Sequence, residues 1–242
     1  EIFDVRVMSM PAKPICVVTG GSRGIGLSIV VAFLEIGAAV YSLDKVEPED
    51  QTSKIAVSNG ELTHLQTDVS DANALNARLE EIFKRHQRLD CLVNNAGFFE
   101  TSENNNILWN TETTTEQINF MLNTNIGSAI HGTRTAAKLT KQCPLEQNNC
   151  HKTIINIAST ATVGPFPKHP DYCPCKGAML QFTRTAQFDL KADGFDVYAV
   201  CPGIIDTDMG QMQMGGEPNR CFWFLGSRGV SELNQNWSLL LY

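Results

Sequence analysis

Tyr172 and Lys176 stand four residues apart at the end of the run Ser159-Thr-Ala-Thr-Val-Gly-Pro-Phe-Pro-Lys-His-Pro-Asp-Tyr172-Cys-Pro-Cys-Lys176. In a helix that spacing puts both side chains on one face, one turn apart. A free tyrosine titrates near about 10. A lysine ammonium close by favours the phenolate and draws that value toward working pH. Such a tyrosine can give a proton to a carbonyl or take one from an alcohol. The hydroxyl of Ser159 is placed to hold the same oxygen. A solvated helix start can show the same pair, so its meaning depends on what the rest of the chain positions around it.

The elements that would do so follow in order. Ile15 to Val18 is an apolar run fit for a buried parallel strand. Thr19-Gly-Gly-Ser-Arg-Gly-Ile-Gly26 comes next, then a helix with Ile25, Ile29, Val30, Phe33 and Leu34 at helical spacing, ended by Gly37. Strand, glycine loop and helix together bind a nucleotide pyrophosphate, because backbone N–H groups at the helix start meet the phosphates. The spacing here is Gly20, Gly24, Gly26 rather than the commoner GxGxxG.

Ala39 to Leu43 is a second strand, and Asp44 ends it 18 residues past Gly26, where an acid takes the adenosine ribose hydroxyls. A carboxylate there repels a 2′-phosphate and favours NAD. Arg23 and Lys45 pull toward NADP, since either could pair with that phosphate.

Further strands are read at Leu62–Gln66, from Asp90 into Asn94-Asn95-Ala-Gly97, at Thr153–Ile157 and at Val197–Val200. Helices are read after Ser70 or Asp71, with an apolar face of Leu75, Leu79, Ile82 and Phe83, and over 116–140 and 172–192. Residues 98–115 read as a polar loop. Asn125 falls inside a helical pattern, where an asparagine is mildly unfavourable unless its side chain has a task. This alternation predicts a single α/β, Rossmann-like, doubly wound parallel sheet with helices on both faces and ligands at the carboxyl ends of the strands. Gly20, Asp44, Asp68, Asn95, Ser159 and Tyr172 each fall at such an end or on the helix just after it.

At 242 residues and a net charge of −7, the chain suits one large domain and argues against nucleic acid as a partner. Its apolar runs are too short to span a bilayer, and residues 1–13 hold no signal-like segment, so a cytoplasmic setting with reduced thiols is expected. The opening Glu1 reads as a fragment or expression remnant, with Met8 or Met10 as candidate starts. Cys16, Cys91 and Cys201 read as buried small hydrophobes. Cys143, Cys150 and His151 lack paired metal-ligand spacing, so no metal site is expected.

Taken together, Thr19 to Gly26, Asp68-Val69, Asn94 to Gly97, Asn125, Ser159, Tyr172-xxx-Lys176 and Pro202-Gly203 closely resemble the short-chain dehydrogenase/reductase family over roughly 13–209. The resemblance implies that Tyr172 is the acid/base, that Lys176 lowers its pKa and bonds the nicotinamide ribose, and that Ser159 polarises the substrate oxygen. It implies that Asn125 holds a water in the proton relay. Gly20, Ser22, Arg23, Ile25, Asp44, Asp68, Val69, Asn95, Tyr172, Lys176 and Ile205 would line the cofactor.

The expected layout is an extension at 1–12, the catalytic domain at 13–209 and an atypical segment of that domain at 210–242. Only 39 residues follow Gly203, and the family's seventh strand has no counterpart in Arg220 to Tyr242. The aromatic run Phe222-Trp-Phe224 and the segment Ser238–Tyr242 are read as covering the sheet edge, the substrate or a partner subunit.

The function so implied is NAD(H)-dependent interconversion of a secondary alcohol and a ketone by a homodimer formed through the helices at 116–140 and 172–192. Two alternatives stay open: a dinucleotide-binding sensor or scaffold with little catalysis, and an NADPH-dependent ketoreductase of the ketoacyl-reductase type. Phe166, Met212, Met214 and Phe222 read either as an apolar substrate wall or as plain core.

Overall fold

Runs of Val, Ile and Leu too short for helices, each followed by an amphipathic stretch, can bury their backbone only as parallel strands covered by crossover helices. The computed structural model describes residues 13–48, 56–57, 61–99, 114–141, 152–162, 170–203, 205, and, as backbone alone, 221–226 and 229–234. Its strands are β1 (Ile15–Thr19), β2 (Ala39–Asp44), β3 (Leu62–Gln66), β4 (Cys91–Asn94), β5 (Lys152–Ile157), β6 (Phe195–Pro202), β7 (Cys221–Gly226) and β8 (Gly229–Asn234). The helices are α1 (Gly24–Glu35), α2 (Ala72–His86), α3 (Thr115–Leu122), α4 (Ser128–Thr140) and α5 (Tyr172–Leu190).

One sheet holds them in the order β3-β2-β1-β4-β5-β6-β7-β8. The first six strands are parallel, and the order reverses between β1 and β4, which pair as Cys16 with Cys91 and Val18 with Val93. In such sheets that reversal opens the ligand crevice at the carboxyl ends.

Alternation along β1 divides the core. Ile15 and Val17 pack with Leu75, Leu79, Ile82 and Phe83 of α2 and with Ala136 and Leu139 of α4. Cys16 and Val18 pack with Val30 and Phe33 of α1 and with Cys91 and Val93. The thiols of Cys16, Cys91 and Cys201 are buried, as expected of small hydrophobes. Between the layers, Asn94 Nδ2 donates to Asn156 Oδ1 at 2.8 Å and Thr133 Oγ1 at 3.2 Å, and Asn156 Nδ2 donates to Thr183 Oγ1 at 2.9 Å. These bonds rivet β4 and β5 to α4 and α5, and a buried polar chain of this kind fixes register because each broken member leaves an unpaired group.

Two elements differ from expectation. The helix predicted over 116–140 is interrupted by a π-helical turn, Asn123–Gly127, which inserts an extra residue and changes the direction in which Asn125 points. The chain beyond 220 does form strands. β7 pairs antiparallel with β6, Cys201 opposite Trp223, and β8 pairs antiparallel with β7. The apolar run from Cys221 to Leu225, closed by a two-residue link between Gly226 and Gly229, makes a hairpin that extends the sheet without a crossover helix. A seventh strand is therefore present, although it is not parallel. Cys143, Cys150, His151, Phe166, Met212, Met214, Ser238–Tyr242 and most of the 98–115 loop lie outside the described residues, as does the side chain of Phe222.

Asp71 rather than Ser70 caps α2: its carboxylate accepts from Asn73 N at 2.8 Å and Ala74 N at 3.3 Å. Replacing it, Asp71→Ala, should cost about 1 kcal/mol of stability and lower the urea midpoint at an unchanged slope.

Candidate active site

The glycine loop is built by close approach. Gly20 takes a φ of +65°, and its N–H donates to Leu43 O at 2.8 Å. A side chain at Gly26 would put its Cβ 2.0 Å from Gly20 O and 2.4 Å from Asn95 Nδ2, so only glycine fits. Asn95 Nδ2 donates to Thr19 O and Gly20 O at 3.0 and 2.9 Å. Thr19 Oγ1 accepts from the N–H groups of Asn95 and Ala96 at 3.0 and 3.1 Å. The ends of β1 and β4 are thereby clamped at the crevice mouth. Sequence reasoning missed Thr19; the signal was its hydroxyl at the last position of a buried strand.

At the start of α1, Arg23 supplies no side-chain cap and the first turn carries no acid. Its N–H groups therefore face no side-chain acceptor, which suits a phosphate. Asp44 Oδ2 accepts from Ser22 N at 3.0 Å, Asp44 Oδ1 accepts from Lys45 N at 2.7 Å, and Ser22 Oγ donates to Val46 O at 2.6 Å. The acid at the end of β2 thus stands beside the glycine loop, as the spacing predicted. Val69 is buried, Ile25 and Ile205 are half-buried, and Arg23 is exposed. Lys45 pairs with Asp68 instead of standing free: its Nζ lies 3.0 Å from Asp68 Oδ2. Among the described residues, the loop, the uncapped helix start and Asp44 fit a dinucleotide.

The second half of the site gathers at the ends of β4 and β5. Asp171 caps α5 by accepting from Tyr172 N at 2.8 Å, and Pro174 sits in the first turn, where no intrahelical N–H is needed. Tyr172 and Lys176 are 7% and 4% exposed. Lys176 Nζ donates to Ile157 O at 2.8 Å and lies 5.7 Å from the Tyr172 ring centroid. Phe99 meets that ring edge-on at 5.2 Å. Ser159, on the turn after β5, is a polar neighbour of the Tyr172 side chain, and its Oγ accepts from Ala161 N at 3.1 Å.

Asn125 reaches in from the π turn. Its Nδ2 donates to Phe98 O at 2.7 Å and to Met121 O at 3.2 Å, while its Oδ1 accepts from Phe98 N at 3.0 Å. Its side chain thus ties the β4 turn in place. The structure brings Asn125, Ser159, Tyr172 and Lys176 together. The partners that sequence reading missed are Asp171, Phe98 and Phe99, which carry only the weak signals of a cap residue and two adjacent aromatics.

Burial dominates the titration of this pair. Burial pushes the Tyr172 phenol up to about 12, opposed by the Ser159 hydrogen bond and supported by the nearby Cys173 and Cys175 thiols. Burial also pushes the Lys176 amine down to about 8 from its ordinary 10.5. Ser159 is the neighbour that draws the Tyr172 phenol back toward its ordinary value.

A family profile described as short chain dehydrogenase matches residues 14–217. The "Probable oxidoreductase EphD" of Mycobacterium tuberculosis is 30% identical over 194 residues, 79% of this chain. This chain spans only 31% of that protein's length. The 2-(R)-hydroxypropyl-CoM dehydrogenase of Xanthobacter autotrophicus is 32% identical over 83% of this chain and 78% of its own. The Pseudomonas aeruginosa RhlG structure, an NADP active-site complex, superposes with a TM-score of 0.69 at 25% identity, covering 84% of this chain and 77% of that one. The chain belongs to the short-chain dehydrogenase/reductase family.

The lowered pKa of Lys176 sets a pH signature. The folded protein releases this proton near 8 and the unfolded chain near 10.5, so stability rises with pH across that window, while below 8 the buried charge is fully carried. Measured as unfolding free energy, wild type minus Lys176→Met should increase by about 3 kcal/mol between pH 7 and 10.5. Parallel curves for the two proteins would contradict the burial of a titrating amine.

Proposed function

We propose that this chain interconverts a secondary alcohol and a ketone with a nicotinamide dinucleotide, NAD(H) in preference to NADP(H), and that Tyr172 handles the proton. The observation that carries the reading is the buried pair Tyr172 and Lys176 on α5, with half-buried Ser159 after β5, next to a glycine loop clamped by Asn95. The dinucleotide would lie along Gly20, Ser22, Ile25 and Asp44 and supply or accept the hydride.

The chain's own groups do the rest. Ser159 Oγ holds the substrate oxygen beside the Tyr172 hydroxyl. Below about 12 that hydroxyl keeps its proton, so it is poised to give it to a carbonyl oxygen. Lys176, fixed on Ile157 O, places a second proton-bearing group behind the phenol, and an amine at about 8 can pass a proton in either direction near neutrality. Phe99 shields the ring from water. Asp44 carries the NAD preference, because a carboxylate held beside the glycine loop by Ser22 N repels a 2′-phosphate. The ready acid form of Tyr172 gives the ketone-reducing alternative its support.

Titration of the protein with NADH and NADPH, followed by cofactor fluorescence, should give tighter binding of NADH; binding of neither would defeat the reading. Against a panel of ketones and secondary alcohols, Tyr172→Phe should lose about 10²- to 10⁴-fold in kcat while still binding NADH. Undiminished turnover would exclude Tyr172 as the proton donor.

The reading extends to a homodimer through the helices that hold the site. Leu122, Ile130 and Phe188 are exposed on α3, α4 and α5, and Phe188 is 85% exposed. Light scattering should give twice the chain mass, falling toward one chain in Phe188→Asp; a monomer in the wild type would contradict the assignment.

Among the described residues no helix is long and apolar enough to cross a membrane. A cytoplasmic location remains part of this proposal.

A further inference from the structure

Lys45 follows directly on the acid that ends β2. A cation in that place can reach toward the 2′ position of the adenosine ribose assigned to Asp44, yet the structure directs it elsewhere. Its Nζ lies 3.0 Å from Asp68 Oδ2 and 5.2 Å from the centre of the Phe120 ring. The backbone of Lys45 is held on both sides, its N–H donating to Asp44 Oδ1 at 2.7 Å and its carbonyl accepting from Gln66 Nε2 at 3.1 Å. Only the side chain is left to choose a partner.

Asp68 is built to keep it. Its Oδ1 accepts from Ser70 N at 3.0 Å and Ser70 Oγ at 2.6 Å, which fixes the carboxylate plane and turns Oδ2 to Lys45. Burial raises the carboxyl, but the Ser70 and Lys45 bonds outweigh it and hold the group below its ordinary value, so it stays ionised at working pH. Phe120 is braced edge-on by Phe98 at 5.1 Å, and Phe98 is the residue whose backbone Asn125 holds on both sides. The lysine therefore has an anion on one side and a supported aromatic face on the other, and a lysine ammonium gains from both.

We propose that Asp68 sets the dinucleotide preference indirectly, by holding the Lys45 ammonium off the 2′ position, so that Asp44 discriminates against NADP(H) despite the lysine beside it. This rests on the dinucleotide reading above. An ion pair as exposed as this one is worth a factor of up to about five in an equilibrium constant. It biases the choice of nucleotide rather than forbidding one. Removing the anion frees the lysine for a 2′-phosphate, which is the stronger acceptor.

Equilibrium fluorescence titrations with NADH and with NADPH on wild type, Asp68→Asn, Lys45→Met and the double variant test it, each protein checked for folding by circular dichroism. Asp68→Ser stands in should the asparagine protein fold poorly. The expected result is that Asp68→Asn raises the NADPH-to-NADH affinity ratio about fivefold. Lys45→Met alone should leave the ratio within about twofold, and the double variant should lose the gain. A ratio unchanged in Asp68→Asn overturns the proposal. So does a gain that persists without Lys45, or an NADPH affinity that falls in Lys45→Met alone, since the lysine would then already reach the phosphate. Binding of neither nucleotide by any protein takes down the dinucleotide reading and this inference with it; nucleotide binding with a flat ratio across the set takes down this inference alone.

Discussion

Lys176 carries an amine into a place water does not reach, and the surrounding elements are arranged to make that tolerable. A buried amine needs an acceptor, and Ile157 O at the end of β5 supplies it at 2.8 Å. For that bond to form, the first turn of α5 must dock on the strand end, which the Asp171 cap and Pro174 allow. The turn after β4 must also stay thin: a Cβ at Gly97 would lie 3.6 Å from Lys176 Nζ and 3.1 Å from Asn125 Oδ1. The π turn then lets Asn125 grip Phe98 through both its N–H and its carbonyl. Strand end, glycine turn, π turn and helix start converge on one buried nitrogen.

The same burial explains the titration of the pair. Two groups of opposite kind share an apolar enclosure, and desolvation favours the neutral form of each. The phenol moves up and the amine moves down. Such a site holds Tyr172 as an acid rather than as a preformed base, with Ser159 as its near polar neighbour. Across the crevice, the clamp of Thr19 and Asn95 ties β1 to β4 where the strand order reverses. The glycine loop and the Tyr172 side are thus joined through the β4 end, and a shift at either is felt by the other.

Much of this was legible in the sequence, because parallel strands buried on both faces are written as short apolar runs. Leu62–Gln66 agrees to the residue, and β1, β2 and β5 agree within one. The apolar face of α2 was readable from spacing alone, and its cap was narrowed to Ser70 or Asp71, between which the hydrogen bonds of Asp71 decide. Gly20, Asp44, Asn95 and Ser159 were legible for the same reason, each falling at a strand end or just after one, while Tyr172 and Lys176 were legible from their helical spacing. What spacing does not encode is a change of helical pitch: the π turn shows in the sequence only as an asparagine out of place. Nor does it encode which of two partners a flexible cation chooses: the sequence offers Lys45 to a 2′-phosphate, and the structure pairs it with Asp68. The hairpin at 221–234 escaped because an aromatic run without alternation reads equally as a lid or as a strand, and pairing decides between them. Sequence shows the proximity of Tyr172 and Lys176 but not their desolvation, which shifts both groups.

The measurement that bears most directly on this account is the ionisation of Tyr172 itself, taken as the ultraviolet difference at the tyrosinate band between wild type and Tyr172→Phe across an alkaline titration. Burial predicts no phenolate from Tyr172 below about pH 11, with its signal emerging only toward about 12. A phenolate that appears near pH 9 or 10 would contradict it, and would mean that the lysine charge rather than the enclosure governs the site.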